Sequence, residues 1–79
     1  MAVNTQSIRE HMEVVGADGK HVGTVDHLEG KREIKLTRTD PAANGKHHFI
    51  PVDWVDHVDL QVHLTKSGRE VMSQWREAA

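Results

Sequence analysis

An Asp-Gly pair between two apolar segments constrains the fold of this 79-residue chain more than any other feature. Asp18-Gly19 separates Val14-Val15 from Val22, and Asp-Gly at such a place signals a hairpin because the tight turn needs a positive φ. A further glycine, Gly23, interrupts the apolar alternation, since Val22 and Val25 are three residues apart rather than two. A β-bulge or a close backbone approach usually explains such a glycine, and a bulge bends the strand. We therefore expect a hairpin that bends soon after its turn, as in a small closed sheet.

Alternation of apolar and polar residues predicts five short strands along the chain. We expect them over residues 13–16, 21–28, 33–39, 47–51 and 58–65. Turn-forming glycine, proline and asparagine residues separate most of these segments, and one 3₁₀ turn is expected before the last strand. The pattern favours a mainly β fold, in the form of a small antiparallel β-barrel of about five strands.

Helical signals lie near both ends of the chain. A capping box at residues 7–10 predicts about one helical turn. Val71, Met72 and Trp75 recur at helical spacing and predict a short C-terminal helix over residues 69–77. The predicted organisation is a flexible arm over residues 1–6, the barrel over 7–65, and a helical segment over 66–79 that packs on the barrel or on a partner.

Composition narrows the classes of protein to consider. The chain has no cysteine, so neither disulfides nor thiolate metal sites stabilise the fold. It contains no apolar run near the ~18 residues of a membrane span and no signal-peptide core. The net charge of −2 gives no general attraction to nucleic acid or anionic lipid. We expect a cytoplasmic protein, and its small size makes oligomerisation plausible.

Basic and acidic residues are segregated along the chain. The basic residues of the central part are Lys31, Arg32, Lys35, Arg38 and Lys46. Residues 53–59 hold three aspartates and no Lys or Arg. Either the two segments are neighbouring strands whose opposite charges face each other across the sheet, or their charges attract a partner electrostatically. The first four basic residues are also a candidate RNA-binding face. That face lacks a stacking partner for bases if Phe49, the only aromatic on a predicted strand, belongs to the core.

Short motifs follow one another in a recognisable order between residues 12 and 65. They are Val14-Val15, Asp18-Gly19, Gly23-Thr24-Val25-Asp26, Ile34-Lys35-Leu36, Phe49-Ile50-Pro51, Trp54-Val55 and Val58-Asp59. In this order the chain resembles a PRC-barrel-like domain. It is most similar to short stand-alone bacterial proteins of that superfamily described as a domain of unknown function. The resemblance implies a non-enzymatic barrel that docks on proteins or assemblies, and it carries over no catalytic residue.

Seven histidines make a metal site worth considering. His47-His48 is followed by Asp53 and His57, and imidazole with carboxylate suits zinc, nickel or copper. Adjacent histidines on a strand point to opposite faces, however, so they do not easily share one ion. The other histidines show no His-x-x-x-His spacing. We therefore expect no metal or other cofactor. If the chain does bind a transition metal, the candidate ligands are His47, His57 and Asp53. Acid would in any case shift the net charge from negative to positive.

No pattern in the sequence points to catalysis. Ser7, Ser67 and Ser73 lie near predicted helix ends, where they act as caps or solvated residues. The chain has no Gly-x-Ser-x-Gly motif and no cysteine nucleophile. Asp53 and Asp56 are better explained as capping the short turn than as an acid–base pair.

The C-terminal helix is the preferred interaction surface. Val71, Met72 and Trp75 form an apolar stripe that must pack on the barrel, on a second copy or on another protein, with Trp75 as the anchor. We interpret the chain as a non-catalytic interaction or adaptor module without membrane or small-molecule ligand, which binds a protein partner or forms a homodimer. The alternatives are an RNA- or ribosome-associated module that uses the Lys31 to Arg38 face, and a transition-metal-binding protein.

Overall fold

The computed structural model describes residues 7–30, 32–43 and 45–77. The strands are β1 (Glu13–Val15), β2 (His21–Glu29), β3 (Glu33–Leu36), β4 (His48–Pro51), β5 (Val55–Val58), β6 (Val62–Leu64) and β7 (Arg76–Glu77). The described residues also contain the helix α1 (Gly68–Gln74) and the 3₁₀ helices Pro41–Ala43 and Val52–Trp54. The predicted arm over residues 1–6 lies outside the described residues. No helix among the described residues is long and apolar enough to cross a membrane.

The seven strands form one sheet in the order β5-β6-β1-β2-β3-β4-β7. All neighbouring pairs are antiparallel except β1 and β6, which are parallel. The mainly β class is as predicted, whereas seven strands replace the predicted five and the pairing is not wholly antiparallel. The pairings end at β5 and β7 without closing, so the predicted barrel is not confirmed.

Two places account for the additional strands. The predicted strand over residues 58–65 breaks at a turn in which the Asp59 N–H donates to the Gln61 carbonyl at 2.9 Å. Residues 55–57, which precede the predicted strand, join Val58 to form β5, and β5 pairs with β6 as a hairpin. At the C-terminus, Trp75 adopts extended backbone angles (φ −66°, ψ 157°) and ends α1, so the helix is shorter than predicted. Arg76 and Glu77 then pair with β4 as β7.

The turn between β1 and β2 is tied to the start of α1. The Gly19 N–H donates to the Gly16 carbonyl at 2.9 Å, and Gly19 has a φ of 80°. Asp18 Oδ1 accepts 3.3 Å hydrogen bonds from the N–H groups of Lys20 and Gly68. A Cβ on Gly16 would lie 2.3 Å from the Gly68 nitrogen, so the helix start packs directly against the turn.

Strand β2 changes partner along its length. Its first residues pair with β1 and its last residues with β3, and each pairing contains a register shift. Between Val14 and Val15 the partner changes from Gly23 to His21, which leaves Val22 as the extra residue. Gly23 is itself paired, and a Cβ there would lie 3.2 Å from Leu36 Cδ1. Bulges bend strands, so β2 wraps β1 and β3 around a common core.

The core is built from the inward residues of the sheet, Val71 of α1 and Ile8, which precedes β1. Its buried residues are Ile8, Val14, Val22, Val25, Ile34, Leu36, Ile50, Val55, Val62, Leu64 and Val71. Met12, Leu28, Val52, Trp54, Val58 and Trp75 pack against it from the periphery. This single apolar layer holds the sheet and α1 together, because burial of apolar area is the main favourable term in folding.

Two local predictions are corrected. At the predicted N-terminal capping box, residues 9–12 instead form a turn in which the Met12 N–H donates to the Arg9 carbonyl at 3.3 Å. The capping box in this fold joins Ser67 and Glu70 at the start of α1. The acidic segment does not pair with the basic one, since β5 lies at the opposite end of the strand order from β3 and β4.

Candidate functional site

The C-terminal helix presents one buried and two accessible apolar side chains. Val71 is fully buried in the core, so it anchors the helix to the sheet and is not accessible to a partner. Met72, on the next position, is 40% exposed. Trp75 is half-buried and lies against the ring of His48, with centroids 3.8 Å apart and planes 17° apart. The accessible part of the predicted stripe is therefore Met72 and Trp75.

His48 forms the floor beneath Trp75. It is only 1% exposed because β4 directs it to the same side as the buried Ile50. Its Nε2 lies 3.4 Å from Glu77 Oε2, whereas its Nδ1 has no hydrogen-bond partner among the described residues. Sequence reasoning did not single out His48 for this role, although its alternation with Ile50 was the available signal.

Ala42, His48, Met72, Trp75 and Glu77 line one open groove, which we call the helix groove. The Trp75–His48 stack and the unbranched Met72 side chain line it together with the Glu77 carboxylate, and its lining is more polar than apolar. Methionine adapts its shape to different apolar neighbours. Because Glu77 adds a charged group, the groove suits a partner surface that combines an apolar side chain with polar groups.

The predicted basic face is only partly assembled. Arg32 and Arg38 are exposed and Lys35 is half-buried, while Lys31 lies outside the described residues. Lys35 pairs across the sheet with Phe49, and its Nζ lies 5.9 Å from the ring centroid. Phe49 is half-buried on the opposite side of β4 from Ile50, so it is not a core residue.

Arg76 completes the surroundings of Phe49. Its Cζ lies 4.5 Å from the ring centroid, and its guanidinium donates to Glu33 Oε1 at 2.7 Å. Two cations thus flank one outward aromatic ring, an arrangement used for single-stranded nucleic acid but also a stable surface contact in its own right.

The histidines proposed from the sequence do not converge. The Nδ1 atom of His47 lies 3.3 Å from the backbone nitrogen of Arg38 and 3.3 Å from the carbonyl oxygen of Leu36. Asp53 is exposed in a 3₁₀ helix. Only His57 belongs to a converging group of possible metal ligands, and neither His47 nor Asp53 joins it in the described part of the chain.

The converging group consists of His57, Asp59 and His63. The two histidines face each other across the β5–β6 hairpin and their rings stack, with centroids 4.2 Å apart. His63 Nε2 lies 2.9 Å from Asp59 Oδ1, and His57 Nε2 lies 4.0 Å from Asp59 Oδ2. The Gln61 N–H and then His63 stabilise the Asp59 carboxylate, which lowers its pKa. His57 and His63 are six residues apart, so they do not show the His-x-x-x-His spacing of a helical metal site. The signal that could indicate them is their position on either side of the turn at Asp59.

A separate polar network joins the β1–β2 hairpin to the loop after β3. His21 Nδ1 lies 2.8 Å from Glu13 Oε2, and its Nε2 lies 2.7 Å from Asp40 Oδ2. The bond to Glu13 is the main cause that raises the pKa of His21, and Asp40 adds to it. Burial acts to raise the pKa of Asp40, but bonds from Thr24, the Ala42 N–H and His21 outweigh it, so the pKa is lowered. Both ring nitrogens of His21 are engaged by carboxylates, so the network ties the β1–β2 hairpin to the loop after β3.

Comparison with known proteins gives one family. The model of the family described as "Uncharacterized protein conserved in bacteria (DUF2171)" matches residues 8–72, a range that spans β1 to β6 and most of α1. No curated protein and no solved structure shows significant similarity to the chain.

Proposed function

The chain belongs to the bacterial DUF2171 family, and on the structure of this member we propose that it is a non-catalytic, cytoplasmic protein-binding module whose partner is a second copy of itself. The observation that carries the proposal is the helix groove, where Met72 is 40% exposed beside the Trp75–His48 stack. Interfaces favour aromatic and methionine side chains in this half-exposed setting.

The helix is fixed in place, so a partner docks on its outer surface. Val71 is buried in the core, and the capping box at Ser67 and Glu70 holds the first turn. A rigid surface loses little conformational entropy on binding. The groove therefore offers a prepared site rather than a segment that must first fold.

The rim of the groove supports a second copy as the partner. Lys46 Nζ lies 3.9 Å from Glu77 Oε1, so both signs of charge lie at the same edge. In a two-fold dimer, the groove of one copy faces the same groove of the other copy. Lys46 of one copy can then lie opposite Glu77 of the other, so like charges need not meet. Met72 would meet its counterpart or the Trp75 ring of the other copy.

Sedimentation equilibrium of two matched variants tests the proposal. Met72→Glu and Gln74→Glu add the same charge to α1, but Gln74 does not line the groove. We expect a concentration-dependent dimer whose dissociation constant rises at least about tenfold in Met72→Glu and less than about twofold in Gln74→Glu. A wild-type chain that stays monomeric, or equal effects of both variants, contradicts self-association through this groove.

A second candidate function is the binding of single-stranded RNA on the outer face of β3, β4 and β7. It is supported by the position of Phe49 between Lys35 and Arg76, because bases stack on such rings while cations contact phosphates. Glu33, bound to Arg76, opposes it. Fluorescence anisotropy with a labelled uridine oligonucleotide shows whether the chain binds single-stranded RNA.

For RNA binding we expect affinity that falls steeply with salt and is lost in Lys35→Glu. Arg69→Glu, which removes an exposed cation of α1, is the control and should change little. Absence of binding at low salt, or equal losses in both variants, excludes this second function.

The relationship to PRC-barrel-like domains is part of the proposal. It is supported by the order of turn and core motifs in the sequence and by a β2 strand that bends between two partners. An experimental structure in which β5 and β7 approach each other would favour it, and one with widely separated edges would oppose it.

A further inference from the structure

We propose that His57, Asp59 and His63 form a binding site for one divalent transition-metal ion, represented experimentally by Zn²⁺. This site differs from the set that the sequence suggested, since it uses neither His47 nor Asp53. It also lies apart from the helix groove: none of its three residues lines that groove.

The ligand atoms already lie close enough for one ion. One donor atom from each residue lies within 4.8 Å of the others. Zinc holds its nitrogen and oxygen ligands at about 2.0–2.2 Å, so side-chain movements on the order of 1 Å bring all three to a common centre. His57 and Asp59 are exposed and His63 is half-buried, so each has room to rotate.

The hairpin explains why these residues meet. His57 and His63 are direct cross-strand partners, and Asp59 lies in the turn that joins their strands. The turn is held by the Gln61 N–H, which donates to Asp59 Oδ1 at 2.8 Å. Three ligands on one short hairpin require no distant part of the fold to move.

Asp56 prepares His57 as a ligand. It is the extra residue of the β5 bulge, and its Oδ2 lies 2.9 Å from His57 Nδ1. A carboxylate only accepts hydrogen bonds, so Nδ1 carries the proton, and in the neutral ring Nε2 keeps its lone pair facing Asp59. Carboxylates hold metal-binding imidazoles in this same way.

Other histidine–carboxylate groups of the described chain lack this arrangement. Both ring nitrogens of His21 are engaged by Glu13 and Asp40. Both ring nitrogens of His27 lie within 3.2 Å of the carboxylates of Asp26 and Glu29. Two imidazoles with one carboxylate favour zinc, copper or nickel over calcium or magnesium, which prefer oxygen ligands.

An open cleft lies beside the two histidines. His57 and His63 line a cleft of about 390 Å³ together with Gly16, Ala17 and Gly19 of the β1–β2 turn. Three protein ligands leave one tetrahedral position free, and this cleft admits water or a small ligand to it.

Isothermal titration calorimetry with ZnCl₂ on the untagged chain tests the site. We expect one saturable site per chain. His63→Gln should weaken it more than about 100-fold, Asp56→Asn about tenfold, and the matched control His47→Gln less than about twofold. Absence of saturable binding, or equal losses in His63→Gln and His47→Gln, overturns the proposal.

An NMR titration of the unmodified chain gives a readout that requires no variant. Zn²⁺ should shift the imidazole signals of His57 and His63 together, with saturation at one equivalent, while those of His21 and His27 move little. Uniform shifts of all the histidines, or shifts centred on His47, would also overturn the proposal.

Discussion

The indole of Trp75 lies flat on the imidazole of His48, with ring centroids 3.8 Å apart. Trp75 joins α1 to β7, and His48 belongs to β4. His48 is buried and Trp75 is half-buried. The contact therefore fixes the chain after the helix and also shapes the floor of the helix groove.

Trp75→Ala should lower the free energy of unfolding by about 2 kcal/mol, because it removes a half-buried indole and its stacking on His48. Trp75→Phe keeps an aromatic ring and should cost less than half as much. Urea denaturation followed by far-UV circular dichroism measures both. Equal losses in the two variants would show that the ring contact contributes little.

The His21 network should make stability depend on pH within a defined window. The pKa of His21 is raised, so its contribution is complete below the ordinary histidine pKa of 6.5 and is lost as pH rises through the higher folded value. The pKa values of Glu13 and Asp40 are lowered, so their contributions are complete above the ordinary values of 4.5 and 3.8. These contributions are lost as pH falls through the lower folded values.

The difference in unfolding free energy between wild type and His21→Gln should therefore be largest between pH 4.5 and 6.5 and decline on both sides. Chemical denaturation at a series of pH values measures it, with Asp40→Asn as a second test of the same network. A difference that does not decline on either side of this range contradicts the assignment of the charged His21 between Glu13 and Asp40.

Gly16→Ala should destabilise the fold by about 3 kcal/mol, and Gly23→Ala by about 1 kcal/mol or less. A Cβ at Gly16 would lie 2.3 Å from the backbone nitrogen of Gly68, which cannot move without shifting α1. At Gly23 it would meet only the end of the Leu36 side chain, at 3.2 Å. Thermal unfolding of the two variants measures the difference, and the reverse order would contradict the packing of α1 on the turn.

Leu60→Asn should leave both stability and self-association nearly unchanged. Leu60 is 92% exposed at the β5–β6 turn and lies outside the helix groove. Exposed substitutions of this kind usually change stability by less than about 0.5 kcal/mol. Among the described residues, Leu60 and Met72 are the exposed large apolar side chains. Sedimentation of this variant distinguishes between them, because a loss of dimer here would place the interface at the hairpin instead of the groove.

Local features of the fold were predictable from the sequence, and contacts between distant segments were not. The Asp18-Gly19 turn and the long β2 strand follow from neighbouring residues. The break at Asp59 was hidden because alternation continues through Leu60, so one strand was predicted where a hairpin forms. Strand β7 has only two residues and gives no periodic signal.

The candidate sites show the same division. Helical spacing places Val71, Met72 and Trp75 on one stripe, but spacing alone does not say that Val71 is the member that is buried in the core. The position of His48 beneath Trp75, and the pairing of His57 with His63, depend on strand register. Register is set by the turn and by burial of the whole sheet, so single-residue patterns do not contain it.

An isotope-filtered NOESY spectrum of a one-to-one mixture of labelled and unlabelled chains tests the central claim most directly. If two copies meet at the helix groove, the Met72 methyl of one copy should show intermolecular NOEs to the Met72 methyl or the Trp75 ring of the other. A spectrum without intermolecular NOEs at millimolar concentration, or with NOEs only at the Leu60 turn, would contradict self-association through this groove.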